Sequence, residues 1–355
     1  VYFDANSFSA TGQTVSISAV VADCKSMDWT GVTNAPTFSI GNDLSIYGSL
    51  TFVLNMTVSA SSDVYFKSTE TGNTITFADN NINSDVYFDG VGGIWSLQDS
   101  VTVGLANKML TVTNGTLNTN GNSINTGSIR VEASAVVNFS SSNVYLRHAF
   151  SSLNGSNVDA GAATFHIRYS YPNTFQAGET TIHLVIFNSI EDCGMTGTGT
   201  FNKIMVQGTG EVKLTDITAD SVIVDPGKTV ELDGTVTVND YLEMNGTCSL
   251  LSNLKGTGTL SSATGNILVN HTNIEDVTAT GGASFVANDS YDLGGNSGWT
   301  INSTSAKDYY WVGDGGSWED GSHWALTSGG AGSGCVPTYQ DNVYFDANSF
   351  SSTGQ

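Results

Sequence analysis

The chain has 355 residues, 12% of them charged; 33 acidic residues outnumber 11 basic ones, for a formal net charge of −22. Only three of the basic residues are arginine, so the clustered basic surface that a phosphate backbone requires is missing and nucleic acid is excluded as an expected partner. A hydrophobic share of 39% argues against a disordered tract, and no apolar run is long enough to span a bilayer, so membrane insertion is not expected either.

The first stretch, residues 1–13, reads VYFDANSFSATGQ, and residues 343–355 read VYFDANSFSSTGQ. Twelve of the thirteen positions match, and the exception is Ala10 against Ser352. The expectation is one unit of 342 residues (343 minus 1) followed by the first strands of the next. Residues 14–53 continue with TVSISAVV, CKSMDWTG, TFSI and LSIYGSLTFV, whose apolar and polar residues alternate as in strands. A short phrase then recurs as DVYF at Asp63, DVYF at Asp85 and NVYL at Asn143. LTVTNGTLNTNG, from Leu110, carries the Asn-Gly step of a tight turn.

In the second half the apolar pairs Leu184-Val185, Ile204-Met205, Val222-Ile223 and Tyr241-Leu242 recur at nearly even spacing. No segment holds a 3.6-residue apolar period over ten positions, so almost no helix is expected. Short strands every ~18–24 residues predict an all-β parallel β-helix, a solenoid whose coils stack at the ~4.8 Å strand spacing. Asn, Thr and Ser at the turns would then form hydrogen-bonded ladders between coils. Tandem β-sandwiches are the alternative, since they also repeat short strands. The expected organisation is a β-helical body over 1–304, a Trp/Gly-rich junction over 305–342 and the start of the next repeat over 343–355. The junction holds three of the six tryptophans and one of the four prolines.

These residues resemble a known type of repeat. WVGDGGSWEDGSHW, from Trp311 to Trp324, followed by a Gly-rich stretch, Pro337 and DNVYFD, resembles the recurrent unit of giant secreted β-helical surface proteins, adhesin-like proteins of Bacteroidetes and uncultured bacteria. Gly281–Trp299 resembles the end of that unit, and Cys24–Phe52 resembles its early coils. The resemblance implies an extracellular or cell-surface structural protein, a filament, sheath or matrix scaffold rather than an enzyme. Its partners would be neighbouring copies of the same repeat, with surface glycans as further ligands of an adhesin stalk. An acidic extracellular polymer also suits this charge.

Several side-chain sets carry alternatives. Trp311, Trp318, His323 and Trp324 either pack a small junction core or offer aromatic faces to sugar. Asp314, Glu319, Asp320 and Asp341 either are solvated turn residues or converge on Ca²⁺, although their spacing fits no calcium loop; no other cofactor is expected. Cys335 would stand shortly before the next unit's copy of Cys24, so the two could form an inter-unit disulfide that staples each junction. Cys193 and Cys248, nearly three coils apart, either remain thiols or pair across an irregular path. Arg147, His148, His166 and Arg168 lie about one coil apart and are the best case for a polysaccharide lyase-like site. No carboxylate cluster stands beside them in the sequence. Eight N-x-S/T sequons occur, at Asn55, Asn114, Asn245 and Asn302 among others, most of which so Asn-, Ser- and Thr-rich a chain could carry by chance.

Overall fold

The computed structural model describes every residue except 19, 21, 105–106, 169–173 and 352–355, so Ser352 of the second VYFDANSF copy lies outside the described residues. Among those described, the only helix is a single 3₁₀ turn, Gly321–His323, capped by Asp320. All else that is regular is strand, and the main ladders are parallel. The chain packs as two compact units, Val1–Asp220 and Ser221–Gln355. The Trp/Gly-rich stretch is part of the second unit.

In the first unit, strand Leu44–Ile46 pairs with Val64–Phe66, with Leu44 opposite Val64. Val64–Phe66 pairs in turn with Val86–Leu97, with Val64 opposite Val86. Val86 is opposite Leu110 of Met109–Asn118. Each step is one circuit of the coil. The alternation seen in the sequence is the cause: Val64, Phe66, Val86 and Phe88 point inward and are buried, and Phe66 stacks on Phe88 at 4.8 Å. Burying each such side chain stabilises the stack by roughly 1.5–3 kcal/mol. Parallel strands need a crossover that two-residue hairpins cannot supply, so these ladders rule out the sandwich alternative and establish a parallel β-solenoid.

Three details differ from the sequence expectation. NVYL at Asn143 does not join the DVYF column; Val144 stands between Ile124 and Phe165 on another face of the coil. Asn114-Gly115 is not a tight turn between strands but a corner inside the strand Met109–Asn118, where the register with Val86–Leu97 shifts. Coil length also varies more widely than expected: Phe150 is opposite Phe175, a long circuit, whereas Val286 is opposite Thr300, a much shorter one.

The second unit repeats the plan. Val230, Leu254 and Ile274 stack in one column, and Val236, Leu260 and Ala279 in another. Side-chain amides run between coils: Asn273 donates to Asn253 at 2.9 Å, and Asn270 to Asn245 at 2.7 Å. Beyond the coils, Asp308–Trp311 forms the middle of a three-stranded sheet. Trp324–Ala325 flanks it antiparallel and Asn342–Tyr344 parallel, which leaves Asn342–Tyr344 as an edge strand.

Candidate functional site

The small sheet is the chemically distinctive part of the chain. Between its strands Gly313 takes φ +86°, and a Cβ on Gly316 would press on the His323 ring and one on Gly321 on the Gly334 backbone. Tyr309, Trp311 and Trp324 are buried together, with Cys335 packed against them. Both indoles are satisfied locally: Trp311 Nε1 donates to the Asp314 carbonyl, and Trp324 Nε1 donates to the Trp318 carbonyl at 2.8 Å. His323 stacks on Trp311 at 4.7 Å, and its Nδ1 lies 2.8 Å from the Val312 carbonyl oxygen. Trp318 packs edge-on against Trp324 at 4.7 Å but is 45% exposed. Of the four candidate aromatic residues, Trp318 therefore presents the largest open face.

The four acids do not converge. Asp314 accepts from the backbone N–H and the hydroxyl of Ser351, which holds its carboxyl below the ordinary range. Asp341 accepts from the N–H of Lys307 at 2.8 Å and of Thr338 at 2.7 Å. Glu319 accepts from the Ser317 hydroxyl, and Asp320 from the Ser322 N–H at 2.9 Å. Glu319 and Asp320 close local turns, whereas Asp341 also ties Thr338 to Lys307 and Asp314 holds the distant Ser351. Among the described residues no group of three or more His, Cys, Asp or Glu is placed to hold a metal ion.

The disulfide expectation needs correction. Cys335 is bonded to Cys248, 87 residues away in the same chain, with Cα atoms 4.9 Å apart. It is thus not held for a copy of Cys24. Spacing along coils misleads here, because the segment around Cys335 folds back: the Val336 N–H donates to the Cys248 carbonyl. Cys248 itself projects on a small loop closed by the antiparallel Thr247–Leu250 bridge. Cys24 is a half-buried free thiol whose pKa burial raises, and Cys193 is buried in the core outside this bond.

Two of the four basic residues suggested for a lyase meet at an aromatic ring. Arg168 lies 3.9 Å above the Tyr145 ring, and His166 stacks on that ring at 4.6 Å. Burial lowers the His166 pKa, and its ring meets the side-chain amides of Asn143 and Asn188. Arg147 and His148 follow Leu146, where the ladder with Thr164–Ile167 ends. Among the described residues His166 meets the amides of Asn143 and Asn188, the Tyr145 ring and the charge of Arg168.

What the sequence reading missed is the outward face of the DVYF column. Tyr65 and Tyr87 stack at 4.8 Å and 10° outside the core. Asp43, Asp63 and Asp85 form an acidic row beside them, where burial and then the charges of Asp85 and Asp43 raise the Asp63 pKa. Burial foremost, and then Asp63, push Tyr65 up to about 12. The recurrence of DVYF at Asp63 and Asp85 was the available signal, since one turn of the coil must put like above like.

The chain matches no family model, no curated protein and no solved structure. The class that the fold defines is the parallel β-solenoid, here carrying a disulfide-tied, Trp-rich sheet in its second unit.

Proposed function

We propose that the chain is a structural repeat of an extracellular fibre or cell-surface scaffold in which copies follow one another end to end. The observation that carries this reading is the duplicated VYFDANSF segment. It builds the same turn at both places. Asp4 N–H donates to the Ser7 hydroxyl and Asn6 N–H to the Asp4 carboxylate, each at 2.9 Å. Asp346 N–H donates to the Ser349 hydroxyl at 2.9 Å and Asn348 N–H to the Asp346 carboxylate at 2.8 Å. A segment that folds alike against two different sheets suits a joining piece. The resemblance to repeats of giant surface proteins points the same way, and the self-satisfied acids and aromatics fit a mechanical role.

The test is the mass of native material recognised by antibody to this chain, after full denaturation and reduction. A polypeptide many times the 37.2 kDa of this chain is expected; a mass near one unit overturns the tandem reading. A second reading, a glycan-contacting stalk, rests on the open face of Trp318. It predicts glycan-array binding that Trp318→Ala abolishes while the fold, followed by circular dichroism, is unchanged.

A further inference from the structure

The two copies of VYFDANSF use opposite edges of the same strand. In the first, Phe3 N–H donates to the Asp28 carbonyl at 2.8 Å, and Asp28 N–H donates to the Val1 carbonyl at 3.0 Å. The Val1 amino group donates to the Ser26 carbonyl at 2.7 Å. Residues 1 and 3 thus face the strand Met27–Asp28, and Tyr2 faces away. In the second copy, Asn342 N–H donates to the Lys307 carbonyl at 2.9 Å, with Asn342, Val343 and Tyr344 opposite Asp308, Tyr309 and Tyr310. Successive residues of a parallel strand bond to alternate sides. Asn342 and Tyr344 therefore face Asp308–Trp311, while Val343 and Phe345 face away. Tyr344 is the counterpart of Tyr2, and Val343 and Phe345 are the counterparts of Val1 and Phe3. The groups engaged in one copy are the groups left open in the other.

The side chains show the same incompleteness. Phe3 stacks on Trp29 at 3.9 Å, and Phe8, close to the same indole, is only 6% exposed. Their counterparts Phe345 and Phe350 are 55% and 39% exposed. Phe345 lies 5.9 Å from Trp311 and 6.0 Å from Trp324 and stacks on Phe350 at 6.2 Å, but has no counterpart of the Trp29 contact.

We infer that Val343–Asp346 is a strand shared between two copies of this chain: one edge pairs with Asp308–Trp311 of its own copy, and the other takes the Ser26–Trp29 strand of the next. The inference rests on the end-to-end reading above and names its contact. Val343 N–H and C=O and Phe345 N–H would meet the next copy's Ser26 carbonyl, Asp28 N–H and Asp28 carbonyl. The next copy's Trp29 would cover the open face of Phe345, giving a continuous column Trp311, Phe345, Trp29. The occupant is a second copy because this chain already shows that strand seated on the same sequence.

Residue-resolved hydrogen exchange tests it on the single chain and on a two-copy chain, residues 1–342 followed by 1–355. In the single chain the Phe3 and Tyr344 amides are protected and the Phe345 amide is not. In the two-copy chain the Phe345 amide at the join is expected to slow at least tenfold, toward the Phe3 rate. Tyr65 and Tyr87 amides, held at their single-chain rates, report that both copies fold. An unchanged Phe345 rate with those amides protected overturns the shared strand. If native material is nonetheless many units long, the array stands and only this contact falls. Protection at Phe345 with a one-unit native mass does the reverse.

Discussion

Gly115 has φ +84°, and a Cβ there would lie 2.5 Å from the Gly90 carbonyl oxygen and 2.6 Å from that of Gly93. Both contacts are backbone, so neither can swing aside. Gly115→Ala is expected to cost about 2–4 kcal/mol in urea unfolding. Gly315→Ala meets nothing within 4 Å and is expected to change stability by under about 0.5 kcal/mol. Two acids should respond to pH in opposite senses. Burial, then Asp85 and Asp43, raise Asp63 in the fold, so its favourable contribution belongs to the protonated form and is lost as pH rises through that raised value. The Ser351 N–H and hydroxyl lower Asp314, so its contribution is present above the ordinary carboxylate value and lost as pH falls through the lowered one. Near neutral pH, Asp63→Asn should therefore raise the unfolding midpoint, and Asp314→Asn should speed exchange of the Ser351 amide. Both differences should vanish in strong acid.

At the scale of strands and coils, the outward stack of Tyr65 on Tyr87 should be measurable apart from the core. A double-mutant cycle to alanine is expected to give a coupling of about 0.5–1.5 kcal/mol in thermal or urea unfolding. The signal for this stack was in the sequence, since DVYF at 63 recurs one coil later at 85. NVYL at 143 has the same chemistry but sits on another face. The circuits lengthen from Leu44–Val64 to Val64–Val86 to Val86–Leu110, so a phrase drifts around the section. A similar slip appears later: Val185 stands opposite Ile204, so the second residue of one apolar pair meets the first of the next. A period of two makes such one-residue offsets decisive, since only one of each pair can face inward. Asn114-Gly115 misled for a related reason. The backbone freedom that makes a tight turn also makes a solenoid corner, and sequence does not distinguish them.

For the whole molecule, the solenoid class followed from alternation and coil-length recurrence, which are local properties of the sequence. The Trp-rich segment was also visible as a separate piece, although it packs within the unit Ser221–Gln355. The Cys248–Cys335 bond was not visible, because it depends on a loop closed at Thr247–Leu250 and on a chain that folds back across it. The four acids of the junction were visible as residues but not by their partners, since a carboxylate bound to backbone and hydroxyl groups and one awaiting a cation look alike in sequence.

That disulfide has a mechanical consequence. A load carried along the polypeptide passes from Cys248 to Cys335 through sulfur, and the 86 residues between them (87 minus 1) bear none of it. Stretched singly, an oxidised chain should therefore extend short of its full contour, and reduction should release about 300 Å of additional length at ~3.5 Å per residue. Force spectroscopy with and without reductant reads this directly: equal contour lengths in the two conditions would show that the bond does not shield this segment. If the shield holds, the strands Asp308–Trp311 and Trp324–Ala325 and the last coils bear no load, whereas Asn342–Tyr344, beyond Cys335, is pulled from their edge, and the redox state of one bond sets how far a copy can lengthen.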